Sequence, residues 1–200
     1  MQLSGRTFLI GADASAVPRS AVVRFPRPPL QFAPVHLRGF AVFRVGSGHD
    51  THRLADGYPL ILGGVKIDHP QGLVGHSDAD AVLHAVTDAI LGALGLGDIG
   101  DAFPDTDVQW EGADSRIFLR GALDRANRLG WRVVNLDVTV FAQRPKLGPV
   151  KATMKANLAE LLGVPADCVN VKAKTGESVG HIGRGEAIGC HAVVLVEREG

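Results

Sequence analysis

Between Asp78 and Leu94 the residues Ala79, Val82, Leu83, Val86, Ala89, Ile90, Ala93 and Leu94 recur at spacings of three and four, and Gly95 follows. That period predicts an amphipathic helix, and an apolar stripe of this length must be buried against another element. Ser77 is placed to cap the helix, with Asp80 three residues on. Phe43 to Gly46 and Pro59 to Ile67 read as short strands, the second broken at Gly63-Gly64 by a turn or bulge. Val133 to Phe141, rich in β-branched residues, is the best strand, and Val169 to Lys174 and Cys190 to Glu197 supply two more. Ser115 to Leu129, stopped by Gly130, and Pro149 to Leu162 complete the helices. This order predicts an α+β fold, a two-layer domain whose mixed β-sheet has helices covering one face.

At 200 residues and 46% hydrophobic side chains the chain can bury a sizeable core. Basic and acidic residues both number 21, so no basic field is available for nucleic acid, and no apolar run reaches the roughly 20 residues of a membrane span. Two distant cysteines, Cys168 and Cys190, make neither a disulfide framework nor a Cys-x-x-Cys knuckle, which fits a reducing compartment. Residues 1–43 differ in composition: they hold Arg6, Arg19, Arg24, Arg27 and Arg38, one acid (Asp13) and five prolines. They read as an extension, disordered or reflecting a start assigned too far upstream, ahead of a folded domain at 44–200. The expected location is the bacterial cytoplasm; an Arg-rich, acid-poor head taken as a transit peptide would place the chain in the plastid stroma instead.

Asp50-Thr51-His52 follows the first strand and a Gly46-Ser47-Gly48 turn. In extended backbone, residues i and i+2 point the same way, so Asp50 and His52 can converge, although an Asp-x-His triplet alone is weak evidence. Asp80, His84 and Asp88 stand at i, i+4 and i+8 on the helix, a polar stripe that also suits a solvated face. Joining His84 to Asp50 and His52 gives two imidazoles and a carboxylate, a set that suits zinc and leaves a fourth position open. Acids crowd the broken stretch from Asp98 to Asp107, Gln143-Arg144-Pro145-Lys146 ends the best strand, and Lys172, Lys174, Thr175, Glu177 and Arg184 add cations, a hydroxyl and a carboxylate. One metal set with several donors for phosphate oxygens points to phosphoryl chemistry.

The motifs Asp50-Thr51-His52, His76-Ser77-Asp78-Ala79-Asp80, Leu83-His84-Ala85, Thr87-Asp88-Ala89, Gly97-Asp98-Ile99-Gly100, Phe103-Pro104-Asp105-Thr106-Asp107, Gly112-Ala113-Asp114-Ser115 and Gly183-Arg184-Gly185-Glu186 occur in this order. Over residues 44 to 198 the chain resembles the 2-C-methyl-D-erythritol 2,4-cyclodiphosphate synthase family. The resemblance implies cyclisation of 4-diphosphocytidyl-2-C-methyl-D-erythritol 2-phosphate with release of CMP, in the non-mevalonate isoprenoid pathway. It further implies Asp50, His52 and His84 as zinc ligands, with Asp50 and His52 also beside the substrate, His76 and Ser77 as phosphate contacts, and His76 and Thr175 as transition-state stabilisers. Asp98, Ile99, Gly100 and Phe103, Pro104, Asp105, Thr106 and Asp107 match the methylerythritol loops. Ala142, Gln143, Arg144, Pro145, Lys146, Leu147 and Gly148 match the cytidine segment, with Lys174 and Gly176 flanking Thr175, and Glu177 matches the ligand of a second divalent ion, Mg2+ or Mn2+. Family resemblance also implies a homotrimer with sites between subunits and a central channel that holds an isoprenoid diphosphate in some relatives. The resemblance places His49 and His181 on the border of that channel, at positions where phenylalanine is common, with Arg184 on the same segment as His181. Two other function classes fit the same ligand set: a zinc-dependent phosphate-ester hydrolase, although no His-Glu-x-x-His helix is present to supply a general base, and a non-catalytic metal or nucleotide-binding module, which has no use for His76 and Thr175.

Overall fold

In the computed structural model, which describes residues 40–200, a 16-residue strand, β1 (Ala41–Asp56), carries the first half of the ligand set. It pairs antiparallel with β4 (Gln71–Val74) on one side and β7 (Ala187–Glu199) on the other. Beyond β7 lie β5 (Arg132–Phe141), antiparallel to it, and β6 (Val169–Lys174), parallel to β5. The resulting five-stranded mixed sheet has the order β4-β1-β7-β5-β6, and β2 (Leu60–Leu62) and β3 (Val65–Ile67) form a separate hairpin. Helix α1 (Ala81–Leu94) lies on β1 and β7 and also meets α3 (Arg116–Arg128), while α4 (Lys151–Leu162) packs on β6. Two one-turn helices, α2 (Ile99–Ala102) and α5 (Gly180–Gly183), sit in the loops. The α+β expectation with a mixed sheet is met, and residues 1–39 of the expected N-terminal extension lie outside the described residues.

The core is continuous from helix to sheet: Val82, Leu83, Val86, Ile90 and Leu91 of α1 are fully buried with Ile188, Ala192, Val194 and Val196 of β7 and Val138 and Val140 of β5. Because α1 touches both the sheet and α3, it is buried nearly all round, more than a one-sided stripe predicts. On the opposite sheet face His49, Thr51 and His191 are exposed, His49 and His191 being register partners.

The first strand is longer than Phe43 to Gly46, and Gly46-Ser47-Gly48 is not a turn. Both glycines lie inside β1 under α1, where a Cβ on Gly46 would stand 1.9 Å from the Ala89 carbonyl oxygen and one on Gly48 2.0 Å from that of Ala85. They are glycine so that helix and strand backbones can touch. Asp80, not Ser77, caps α1, its side chain accepting from the N–H groups of Val82 and Leu83. β4, at four residues, has too little alternation to announce itself in sequence.

Candidate active site

β1 and α1 bring Asp50, His52 and His84 to one point. Asp50 Oδ2 stands 2.9 Å from His52 Nε2 and 3.0 Å from His84 Nδ1, and the two ring nitrogens are 3.2 Å apart. Ligand atoms about 2.0–2.1 Å from a tetrahedral metal ion lie about 3.3 Å from each other, so three corners are nearly in place. Burial pushes the Asp50 carboxyl up, but hydrogen bonds and charges from His52 and His84 hold it well below the usual carboxylate range. For His52, burial pulls the pKa down while the Asp50 hydrogen bond and charge raise it, and the net shift is upward. Among the described residues this is the group of histidine, cysteine and acidic side chains able to hold a metal.

The outer nitrogens of both rings are held as well. His52 Nδ1 donates to the Val74 carbonyl of β4 at 2.9 Å, which turns Nε2 toward the cluster as the ligand atom of the neutral ring. His84 Nε2 lies 2.8 Å from Ser115 Oγ and 3.1 Å from Ser77 Oγ. Metal-binding imidazoles characteristically have their second nitrogen hydrogen-bonded in this way, and the donor set fits a divalent metal with a fourth position free.

The cluster opens on a cavity of about 330 Å³ whose walls include His52, His76, Ser77, His84, Ile99, Gly100, Phe103 and Asp105. Trp110 and Phe118, which sequence reasoning did not assign to the site, complete it. They form an aromatic cluster with Phe103, ring centroids 5.1 to 5.6 Å apart, and Phe118 also meets the His84 ring. The indole Nε1 of Trp110 is buried without a hydrogen-bond partner.

A different cavity, about 300 Å³, is lined by Ala142, Pro145, Lys146, Leu147, Gly148, Lys174 and Thr175. The two cavities share no lining residue, and His76 lines the first while Thr175 lines the second. Gln143 ties the two loops of this second cavity, its Oε1 accepting from Gly176 N–H at 3.2 Å. Glu177 and Ser178 adopt left-handed backbone (φ 48° and 63°), and the Thr175 hydroxyl donates to the Glu177 carboxylate. That turn is packed on α5 so closely that a Cβ on Gly176 would stand 2.4 Å from Gly183 N.

Several expected site residues are engaged elsewhere. Asp98 caps α2, in a capping box with Asp101, and neither it nor Pro104, Thr106 or Asp107 lines the first cavity; Asp107 caps the short turn at Val108–Trp110. Arg184 pairs with Glu186 at 2.7 Å, and His181 is exposed. Lys172, read as a phosphate donor, is ion-paired with Asp137 across β5 and β6 and lines neither cavity. Asp80 does not belong to the polar stripe: its carboxylate is fully buried and faces the hairpin. His84 and Asp88 remain, Asp88 accepting from Ile99 N–H at 2.7 Å and so holding the loop that walls the cavity.

The sequence profile of the YgbB family matches residues 43–197. The chain belongs to the YgbB family. Among curated relatives of this YgbB chain, the 2-C-methyl-D-erythritol 2,4-cyclodiphosphate synthase of Dechloromonas aromatica is 60% identical over 158 residues, covering 79% of this chain and 99% of that protein. A solved 2C-methyl-D-erythritol-2,4-cyclodiphosphate synthase superposes with a TM-score of 0.72 at 44% identity, covering 76% of this chain and 99% of the other. A CDP-bound synthase structure gives the same TM-score of 0.72 at 41% identity with the same coverage. Among the described residues no helix is long and apolar enough to cross a membrane.

Proposed function

We propose that this YgbB-family chain cyclises 4-diphosphocytidyl-2-C-methyl-D-erythritol 2-phosphate to 2-C-methyl-D-erythritol 2,4-cyclodiphosphate, acting as a phosphorus–oxygen lyase of the non-mevalonate isoprenoid pathway. An oxygen of the 2-phosphate forms a bond to the β-phosphorus, the bond from that phosphorus to the bridging oxygen breaks, and the bridging oxygen departs with the electron pair on CMP. The attacking phosphate is already anionic, so no side chain has to create the nucleophile. What the protein must supply is charge neutralisation and in-line positioning of two anions that repel each other. The observation that carries this reading is the single cavity in which the Asp50, His52 and His84 cluster meets His76 and Ser77, in a chain so similar to named synthases.

Asp50, His52 and His84 would hold zinc. The ion, when bound, supplies positive charge to phosphate oxygens. His76 and Ser77 bind the phosphate beside it, and Ile99, Gly100, Phe103 and Asp105 take the methylerythritol against an apolar wall of Trp110 and Phe118. Ala142 to Gly148 and Lys174 receive the cytidine end, a reading supported by the CDP in the related synthase. Thr175 works with His76 on the transition state, and Glu177 holds a second divalent ion, Mg2+ or Mn2+. His76 and Thr175 lie in different cavities of one chain, which supports a homotrimer whose sites form between neighbours. A channel on the trimer axis, bordered by His49, His181 and Arg184, would be the place for an isoprenoid diphosphate.

Incubating the purified chain with the diphosphocytidyl substrate, zinc and magnesium, and following phosphorus by NMR, tests the reading. CMP and the cyclic diphosphate should appear in equal amounts. Inorganic phosphate, or CMP without the cyclic product, would show hydrolysis instead.

A further inference from the structure

The Gly112 to Ser115 motif has no role in the cyclisation as described above, yet its serine sits against the metal cluster. Ser115 is fully buried at the N-cap of α3, the place where a serine hydroxyl ordinarily accepts from the helix's first N–H groups, and here it makes no capping bond. It instead donates to Asp78 Oδ1 and stands 2.8 Å from His84 Nε2. The two loops that meet here are clamped by their backbones, Asp78 N–H to the Ala113 carbonyl at 3.0 Å and Gly112 N–H to that of His76 at 2.8 Å. Between Ser77 and Asp80 the fully buried Ala79 is held in left-handed backbone, φ 55°, a conformation that costs free energy for a residue with a Cβ.

Proton counting gives these contacts a direction. A serine hydroxyl has one proton, and an Asp carboxylate only accepts. With its proton committed to Asp78, Ser115 Oγ can only accept from His84, so His84 Nε2 must carry the ring proton. In the neutral ring the Nδ1 lone pair is then the one aimed at the point where Asp50 and His52 converge, 3.0 Å and 3.2 Å away. Ser77 cannot impose this alone. Its Oγ also lies 3.1 Å from His84 Nε2, but no carboxylate fixes where its proton points, and it accepts from Ala79 N–H at 3.3 Å.

We infer that Asp78 and Ser115 are positioning residues for the metal site: the hydroxyl of Ser115, oriented by Asp78, holds His84 as the Nε2–H tautomer with Nδ1 presented as the ligand atom. The role in catalysis rests on the proposed metal-dependent cyclisation, whereas the tautomer does not depend on it. His52 is set by a backbone carbonyl that mutation cannot remove; His84 is set by two side chains.

Nitrogen-15 NMR of the imidazoles in the metal-free full-length chain, in alkaline buffer where the rings are neutral and with His84→Gln identifying the signals, reads the tautomer directly. The wild type should show Nε2–H. In Ser115→Ala the protonated nitrogen should no longer be fixed. Asp78→Asn can offer Ser115 either its carbonyl or its NH2, so it too should give mixed tautomers. Ser115→Thr, which keeps the hydroxyl, should restore the wild-type pattern. Zinc affinity, measured by competition with a chelator, should fall about ten- to a hundredfold in Ser115→Ala and Asp78→Asn and recover in Ser115→Thr. An Nδ1–H tautomer in the wild type overturns the inference without any variant having to fold. So does unchanged zinc affinity in a Ser115→Ala chain of native circular dichroism. A wild type with the Nε2–H tautomer that takes up no zinc would leave the tautomer assignment standing, overturn the metal-site role of the relay, and count against the proposed function.

Discussion

The backbone N–H of Gly64 ends 2.6 Å from Oδ2 of Asp80, joining the β2–β3 hairpin to the first turn of α1. Gly63 N–H reaches Oδ1 of the same carboxylate at 2.8 Å, and Val82 and Leu83 donate to it from the helix at 3.0 and 3.1 Å. One fully buried side chain therefore satisfies four backbone donors from two elements. Burial is the largest influence on its carboxyl, raising it to about 6 against the downward pull of the N–H groups of Gly64, Gly63 and Leu83. His84 begins the next turn, its N–H donating to the Asp80 carbonyl at 3.0 Å, so the helix that carries the ligand is anchored at its first residue.

Asp80→Ala should accordingly cost stability far beyond a surface cap. It strands three buried N–H groups and the half-buried one of Gly64 at once, and a loss of about 3 kcal/mol or more is expected from urea denaturation. A loss below about 1 kcal/mol would show that water takes over the carboxylate's role.

Gly48→Ala should damage the metal site as well as the fold. The added methyl would lie 2.0 Å from the Ala85 carbonyl oxygen, next to His84, on the strand that carries Asp50. Helix and strand must separate by more than an ångström, with a loss of about 1–3 kcal/mol. Zinc affinity should fall with the melting temperature. Gly57→Ala, where nothing lies within 4 Å of the added carbon although φ is +84°, measures the cost of backbone strain alone and should leave zinc binding intact.

Much of this site was legible because the ligands sit in patterned segments. The i, i+2 geometry of Asp50 and His52 and the stripe position of His84 are local properties, and they survive folding unchanged. Glycine carried two meanings: Gly46 and Gly48 look like a turn in sequence, and only the presence of α1 shows that they are a contact surface. Asp80 misled for a similar reason, since helical spacing groups it with His84 while its φ and ψ place it outside the helix, facing the hairpin. Ser115 and Val74 were out of reach altogether. Each meets its histidine across 20 residues or more, and no local period records that contact.

The pH dependence of stability should change in Asp88→Asn. Burial raises the Asp88 carboxyl above its ordinary value, opposed by the Ile99 N–H, with the Asp98 charge adding to the rise. A carboxyl whose folded pKa lies above its unfolded one takes up a proton more readily when folded. Its ionisation therefore removes stability as pH rises from the ordinary carboxylate pKa of 3.8 through the raised folded value. Asparagine can still accept from Ile99 but never ionises. The variant should be more stable than wild type at neutral pH, by less than about 1 kcal/mol given solvent screening at this half-buried site, and the difference should vanish below pH 3.8. An advantage that persists in acid would assign it to something other than charge.

The proposed sharing of sites between chains predicts complementation. His52 lines the metal cavity and Lys146 the other, and no residue belongs to both. If a working site joins the first cavity of one subunit to the second cavity of its neighbour, His52→Ala and Lys146→Ala are each inactive alone but damage opposite halves. Random mixing at equal amounts would leave about a quarter of the sites with both halves intact in a closed ring of heterologous interfaces. Co-expression with two different affinity tags, sequential purification, and a turnover assay on the doubly tagged species make the measurement, with native mass spectrometry reporting the subunit count. Selecting the doubly tagged species removes the unmixed rings, so a mixed trimer keeps about one intact site in three, and recovery of a substantial part of that third is expected, provided that Lys146→Ala alone is confirmed inactive. Mixed oligomers as inactive as their parents would place both cavities' work within one chain, and would require a movement that brings Thr175 to His76.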